Sequence, residues 1–166
     1  DQLVRASLDG TLADGTHVLY VSPLKALGND IRKNLSGPLD ELQAAASAGG
    51  LRLRPHAKTH KSPWIARRQL EAGAAGICCA KLGEAEVFAD GGVADIRIPY
   101  PLNPANADRV IELARRVRLS FIVDHRQVAR EWSGALSRAG QTVDVLVKVD
   151  VGFHRCGIDP DPATAV

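Results

Sequence analysis

The feature that most constrains this chain is an alternation that starts near residue 50. Short apolar runs rich in β-branched residues recur at 51–54, 75–80, 95–99, 119–124 and 144–150. Stretches with helical periodicity lie between them, at 62–72, 83–89, 104–117 and 126–139. Gly73, Gly91, Gly92 and Gly140 mark joins where one pattern gives way to the other. A strand followed by a helix at a repeat of about 25 residues implies parallel pairing, because each helix returns the chain to the end where the strand began. The run VDVLVKVDV, residues 143–151, is apolar at successive positions near its start, as strands covered on both faces are. The pattern predicts an α/β fold of parallel βα units, either an open sheet of five to six strands or part of a barrel. A complete eight-stranded barrel typically needs ~250 residues, so the expectation is its first five strands.

Composition narrows the function classes. The chain has 166 residues, enough for one domain with its own core. Lys and Arg number 21 against 19 Asp and Glu, a formal charge of +2, so nucleic acid is not expected on electrostatic grounds. No apolar run approaches the ~18 residues of a membrane span, and no basic-then-apolar leader opens the chain. Cys78, Cys79 and Cys156 do not make a disulfide framework and suit a reducing, cytoplasmic compartment. The chain starts at Asp1 and lacks methionine, which suggests a processed, excised or assembled piece.

Polar residues gather where the strands end. Those positions carry Lys58 and His60, Lys81, Tyr100 and Asn103, Asp124 and His125, and then Asp150, His154 and Arg155. In βα barrels the chemistry collects at that end. The densest stretch is RPHAKTHKS, residues 54–62, in which strand alternation would put His56, Lys58 and His60 on one face. A lysine amine attacks an aldehyde only when deprotonated, a form that nearby Arg54 and Lys61 would favour; a solvated surface lysine is the plain alternative. Arg155 follows the bend at Gly152, where a planar, permanently charged fork can fix an anionic oxygen. A structural ion pair with Asp150 is its alternative. His56 and His60 are read as pocket-shaping or proton-relaying groups. They lack obvious third and fourth partners for a metal. The cysteines are read as packing residues.

Three segments in order, RPHAKTHK, GICCAKLGEAEVFADGGVADIRIPYP and VLVKVDVGFHRCGI, resemble the D-threonine aldolase and D-serine dehydratase-like family. Those are pyridoxal 5'-phosphate (PLP) enzymes on the alanine-racemase type of barrel, and the resemblance runs from about residue 46 to 166. It implies PLP as cofactor, held by Lys58 as an internal Schiff base, with Arg155 on the phenolic oxygen. It implies an intact enzyme that is an aldolase or dehydratase of D-β-hydroxy amino acids. Family members place their divalent metal ligands and most of the phosphate site later in the chain than the equivalent of Val166. Neither is therefore expected here, and the chain alone is expected to be weakly active or inactive.

The first 45 residues differ. THVLYVSPLKALGNDIRKNLSGPLDEL, residues 16–42, resembles the motif Ia region of large helicase-related superfamily 2 helicases, with YVSPLKAL, residues 20–27, at its centre. In those proteins the strand-to-helix turn contacts the nucleic-acid backbone, which points to Ser22 and Lys25. Ser22 followed by Pro23 is also ordinary helix-start chemistry. No G-x-x-x-x-G-K-[ST] loop accompanies the segment, so ATP hydrolysis is not expected. Two resemblances in one chain suggest a chimera of residues 1–45 and 46–166, with its seam in residues 39–50. Three function classes follow: a PLP-binding lyase fragment, a folded chimera without activity, and a nucleic-acid-binding helicase fragment without ATPase activity. Exposed sheet edges would allow a homodimer.

Overall fold

The computed structural model describes residues 37–161. The segment containing Ser22 and Lys25 lies outside them. Helix α1, Gly37–Ala48, covers most of the expected seam. It ends where Gly50 turns left-handed (φ 67°) and Leu51 N–H donates to Ala46 O at 2.8 Å. That glycine-dependent bond satisfies a carbonyl the last turn would otherwise leave open.

Among the described residues four strands form, one fewer than the alternation from residue 50 onward predicts. They are β1 Ile77–Cys78, β2 Asp95–Pro101, β3 Arg118–Val123 and β4 Asp144–Val147. Residues 51–54 run beside β1 without a continuous ladder. Leu53 O accepts from Ala75 N–H at 2.8 Å and Pro55 O from Cys78 N–H at 2.7 Å, while bridge pairing occurs only at His56 and Cys78. Pro55 has no N–H to donate, so the ladder is interrupted where it would start.

All strand pairs are parallel, and their spatial order, β1-β2-β3-β4, follows the chain. Doubly wound sheets reverse direction at a switch point; this sheet does not. A sequential order is that of a barrel wall.

The crossovers are α2 Pro63–Glu71 before β1, then α3 Leu82–Asp90, α4 Ala107–Arg116 and α5 Arg126–Arg138. Their starts are legible. Ser62 caps α2 by accepting from Ile65 N–H at 3.4 Å, with Pro63 at the first position. Asn103 accepts from Ala105 N–H at 2.9 Å to open a 3-10 turn at Pro104–Asn106, and α4 follows it.

The core sits between the helices and one face of the sheet. Val110, Leu113 and Ala114 in α4, and Val128, Trp132 and Leu136 in α5, recur at helical spacing and pack on Ile96, Ile98 and Phe121. Phe121 and Trp132 meet with ring centroids 4.9 Å apart, and the buried Trp132 indole donates to Leu102 O at 2.9 Å. Burying each large apolar side chain contributes about 1.5–3 kcal/mol.

The 51–55 segment is tied down by an ion pair. Arg54 forks both oxygens of Asp95 at 2.8 and 3.1 Å. Gly76 makes room for it: a Cβ there would sit 2.2 Å from Arg54 Nη1 and 2.6 Å from Asp95 O.

Phe121→Ala is expected to cost about 3–5 kcal/mol, because it opens a cavity against a fixed tryptophan. Chemical denaturation would show this as a lower midpoint with unchanged slope; a loss under 1 kcal/mol would contradict this account of the core.

Candidate cofactor site

The carboxyl ends of the strands surround a cavity of about 340 Å³. That lies near the lower end of the roughly 300–1,000 Å³ common for small-molecule sites. The turn after residue 55 supplies His56 and Lys58, the end of β2 supplies Pro99 and Tyr100, and the continuation of β4 supplies Lys148 and Asp150. Phe153, Arg155 and Cys156 close it from the following loop. Lys58 and Arg155, 97 positions apart in sequence, thus line one hollow.

Local geometry differs from the alternating strand face the sequence suggests. The chain turns at 57–60, so His56, Lys58 and His60 do not project side by side. His56 Nδ1 accepts from the backbone N–H of Lys58 at 3.2 Å. Burial, and then the Lys58 ammonium, lower the pKa of His56. A neutral ring accepting at Nδ1 carries its proton on Nε2.

His60 does not line the cavity. Its ring meets Phe88 edge-on at 6.1 Å, and its Nδ1 accepts from Ser62 N–H at 3.1 Å, which steadies the start of α2. Burial lowers its pKa, partly offset by Gln69. His60 Nε2 and Gln69 Oε1 are both buried without a hydrogen bond of regular geometry.

The two cations expected beside Lys58 are engaged elsewhere. Arg54 holds Asp95, and Lys61 Nζ lies 3.2 Å from Glu84. Burial raises the Glu84 pKa, but the Ala80 N–H at 2.9 Å and Lys61 outweigh it and leave the carboxyl below its usual range. The cations that do share the cavity with Lys58 are Arg155 and Lys148. Sequence reading missed Lys148. Its signal was a lone charge two positions before Asp150 in an apolar strand, hence on the same face.

Several other strand-end groups serve the backbone. His125 caps α5 by accepting from Gln127 N–H at 3.2 Å, and Asp124 Oδ2 accepts from Gly157 N–H at 3.0 Å. Burial pushes the Cys79 thiol up to about 12, with Glu84 adding to it, in keeping with a packing role. All three cysteines are free. Among the described residues no three His, Cys, Asp or Glu side chains converge on a metal position.

The Arg155 loop is built on one carboxylate. Asp150 Oδ1 accepts from the N–H groups of Gly152, Phe153 and His154 at 3.0, 3.0 and 3.1 Å. Asp150 Oδ2 lies 3.3 Å from His154 Nδ1, at a residue held left-handed (φ 51°). Such a conformation costs a non-glycine residue about 1–3 kcal/mol and needs a partner to persist. Gly157 (φ 122°) lets the loop return: a Cβ there would lie 2.5 Å from Asp150 N. Asp150 therefore shapes the backbone that presents Arg155, rather than pairing with Arg155 itself.

The family described as alanine racemase, N-terminal domain, matches residues 31–166. The chain belongs to that family. A D-threonine aldolase of Arthrobacter sp is 45% identical over 124 residues, covering 74% of this chain and 33% of that protein. The crystal structure of D-threonine aldolase from Filomicrobium marinum superposes with TM-score 0.73 at 38% identity, over 78% of this chain and 35% of that one. The D-threo-3-hydroxyaspartate dehydratase of Delftia sp. HT23 gives TM-score 0.73 at 33% identity, over 78% and 35% of the respective chains. This alanine racemase-type domain thus spans about a third of the length of the curated relatives it matches. A second resemblance is separate: 53 residues are 43% identical to the ATP-dependent helicase Lhr-Core of Methanocaldococcus jannaschii, covering 32% of this chain and 6% of the helicase. No helix among the described residues is long and apolar enough to cross a membrane.

The Asp150 loop gives a pH-dependent prediction. Donation by Gly152 N–H, and then by His154 N–H, holds the Asp150 pKa below its ordinary value. A depressed carboxylate stabilises the fold above its unfolded pKa of about 3.9, and that contribution fades as pH falls through the lower folded value. The amide resonances of residues 152–154 should titrate together with a midpoint below about 3.9, and Asp150→Ala should remove their exchange protection at neutral pH. Unchanged protection in that variant would contradict the role given to Asp150.

Proposed function

We propose that the chain is a PLP-binding module of a lyase acting on D-β-hydroxy amino acids, with little or no turnover on its own. The observation that carries this reading is the single cavity that brings Lys58 and Arg155 together. Its donor set fits the cofactor: an amine for the aldehyde, a guanidinium for the phenolic oxygen, and an aromatic and apolar lining from Tyr100, Phe153 and Pro99. The likeness to D-threonine aldolase supports the substrate class.

When bound, PLP supplies the electron sink that lets a bond to the substrate α-carbon break. The residues of the chain do the rest. Lys58 Nζ anchors the aldehyde carbon, and a neutral amine is the reacting form. His56, accepting at Nδ1 from the Lys58 N–H, fixes the turn from which that side chain leaves and keeps a proton on Nε2. Arg155 orients the ring through its phenolic oxygen by a charge-assisted bond. Lys148, on the cavity wall, is placed to receive a carboxylate. His60, packed on Phe88, supports the turn and is not assigned a contact with the cofactor. Residues 1–45 are read as the helicase-like part of a composite chain joined within residues 39–50.

Titration with PLP, followed by absorbance, tests the reading. A single saturable band is expected, with Arg155→Ala weakening binding about 10- to 100-fold, as loss of one charge-assisted hydrogen bond implies. D-threonine should shift the bound band and L-threonine should not. Wild-type affinity in Arg155→Ala would overturn the cofactor assignment. An equal response to both enantiomers would overturn the substrate class alone.

A further inference from the structure

Two turns meet at the carboxyl end of β1. One carries Lys58 between Ala57 and Lys61, and the other, residues 79–81, leads from β1 into α3 and puts Ala80 on the cavity wall. The entry to the Lys58 turn is held to β1 by backbone: Ala57 N–H donates to Cys78 O at 2.8 Å, and His56 bridges Cys78. The exit is held differently. Lys61 N–H returns to Ala57 O at 2.8 Å, which closes the turn on itself, and Lys61 sits left-handed at φ 48°. A residue with a Cβ keeps that conformation only where its surroundings hold it there.

Glu84 reaches across from α3 to supply that hold. Its Oε2 accepts from Ala80 N–H at 2.9 Å, and its Oε1 lies 3.2 Å from Lys61 Nζ. The first contact is half of a capping box, in which a glutamate at the third helical position reaches back to N–H groups ahead of the helix. Lys81, the N-cap residue, makes no side-chain cap bond of its own. Capping needs one oxygen. The other oxygen serves Lys61, in a different turn 23 positions earlier.

The Glu84 side chain is only 13% exposed, whereas the Lys61 amine is open to solvent. An exposed ion pair contributes little when both partners must be ordered to form it. Here the Ala80 bond has already immobilised the carboxylate, so less side-chain freedom is lost. The titratable groups that feel this carboxylate are Lys61, His56 at the start of the same turn, and Cys79 at the end of β1.

We infer that Glu84 is a positioning residue for Lys58: it clamps the exit of the Lys58 turn to the end of β1, so that the amine leaves from backbone fixed at both ends. Glu84 does not line the cavity and acts through Lys61 and Ala80. The inference rests on the reading of Lys58 as the PLP anchor.

PLP affinity of the full chain, read by absorbance titration, tests it. Glu84→Gln keeps an acceptor for Ala80 N–H but removes the charge that holds Lys61. It should weaken binding about 3- to 10-fold, the loss that one hydrogen-bonded contact implies. Lys61→Ala should weaken it equally, and the double variant no further, because both remove the same bridge. Lys61→Arg can still pair with Glu84 and should keep wild-type affinity. In Glu84→Gln, amide exchange at Lys61 should quicken while Ala80 stays protected. Wild-type affinity in Glu84→Gln overturns the inference. So does a double variant that multiplies the two single losses, or a loss in Lys61→Arg as large as in Lys61→Ala. A wild type that binds no PLP overturns the cofactor reading, and this inference with it, before any variant is compared.

Discussion

Every residue of β3 after Arg118 is buried, and the parallel ladders on its two sides hold the described fold in place. One face carries Leu119, Phe121 and Val123, with Phe121 set against Trp132. The other carries Ser120, whose hydroxyl accepts from Arg97 Nε at 3.1 Å, and Ile122. A strand covered on both faces fixes the register of its neighbours, because a one-residue slip would exchange the two faces. That register places the ends of β2 and β4 around the cavity. Between Ile98 and Pro101 the pairing with β3 shifts, and Pro99 and Tyr100 in that irregularity line the site. Irregularities of this kind re-aim side chains beside functional sites.

The cofactor site is therefore a product of a rigid wall and two shaped turns. The first turn, at 56–60, is pinned by histidine nitrogens that accept backbone N–H groups at Lys58 and Ser62. The second, at 150–157, is pinned by Asp150 and by Asp124 reaching Gly157. Both present a cation, Lys58 or Arg155, from backbone whose geometry is set by side-chain acceptors rather than by a ladder. Preorganisation of this sort lowers the ordering cost of binding.

Much of this was legible in the sequence. Helical periodicity at 62–72 and 104–117 located two of the helical stretches, whose starts the structure shows capped by Ser62 and Asn103. The family resemblance selected Lys58 and Arg155, and the fold brings them to one cavity. What failed was tertiary. Residues 51–54 have strand composition, yet Pro55 interrupts their ladder. The spacing of His56, Lys58 and His60 matched a strand face, but a strand cannot continue through the turn that follows. Arg54 and Lys61 looked like neighbours of Lys58, whereas Asp95 and Glu84, 41 and 23 positions further on, hold them. Polar residues at the strand ends were over-read as chemistry: His125 and Asn103 cap helices, a need every βα join shares.

The central claim is that Lys58 is the amine that anchors PLP in this cavity. Incubation with PLP, borohydride reduction and peptide mass mapping, with Lys58→Ala as control, addresses it directly. The account predicts a reduced pyridoxyl group on Lys58 and none elsewhere, absent from the control. Label spread over several lysines, and unchanged in the control, would contradict it.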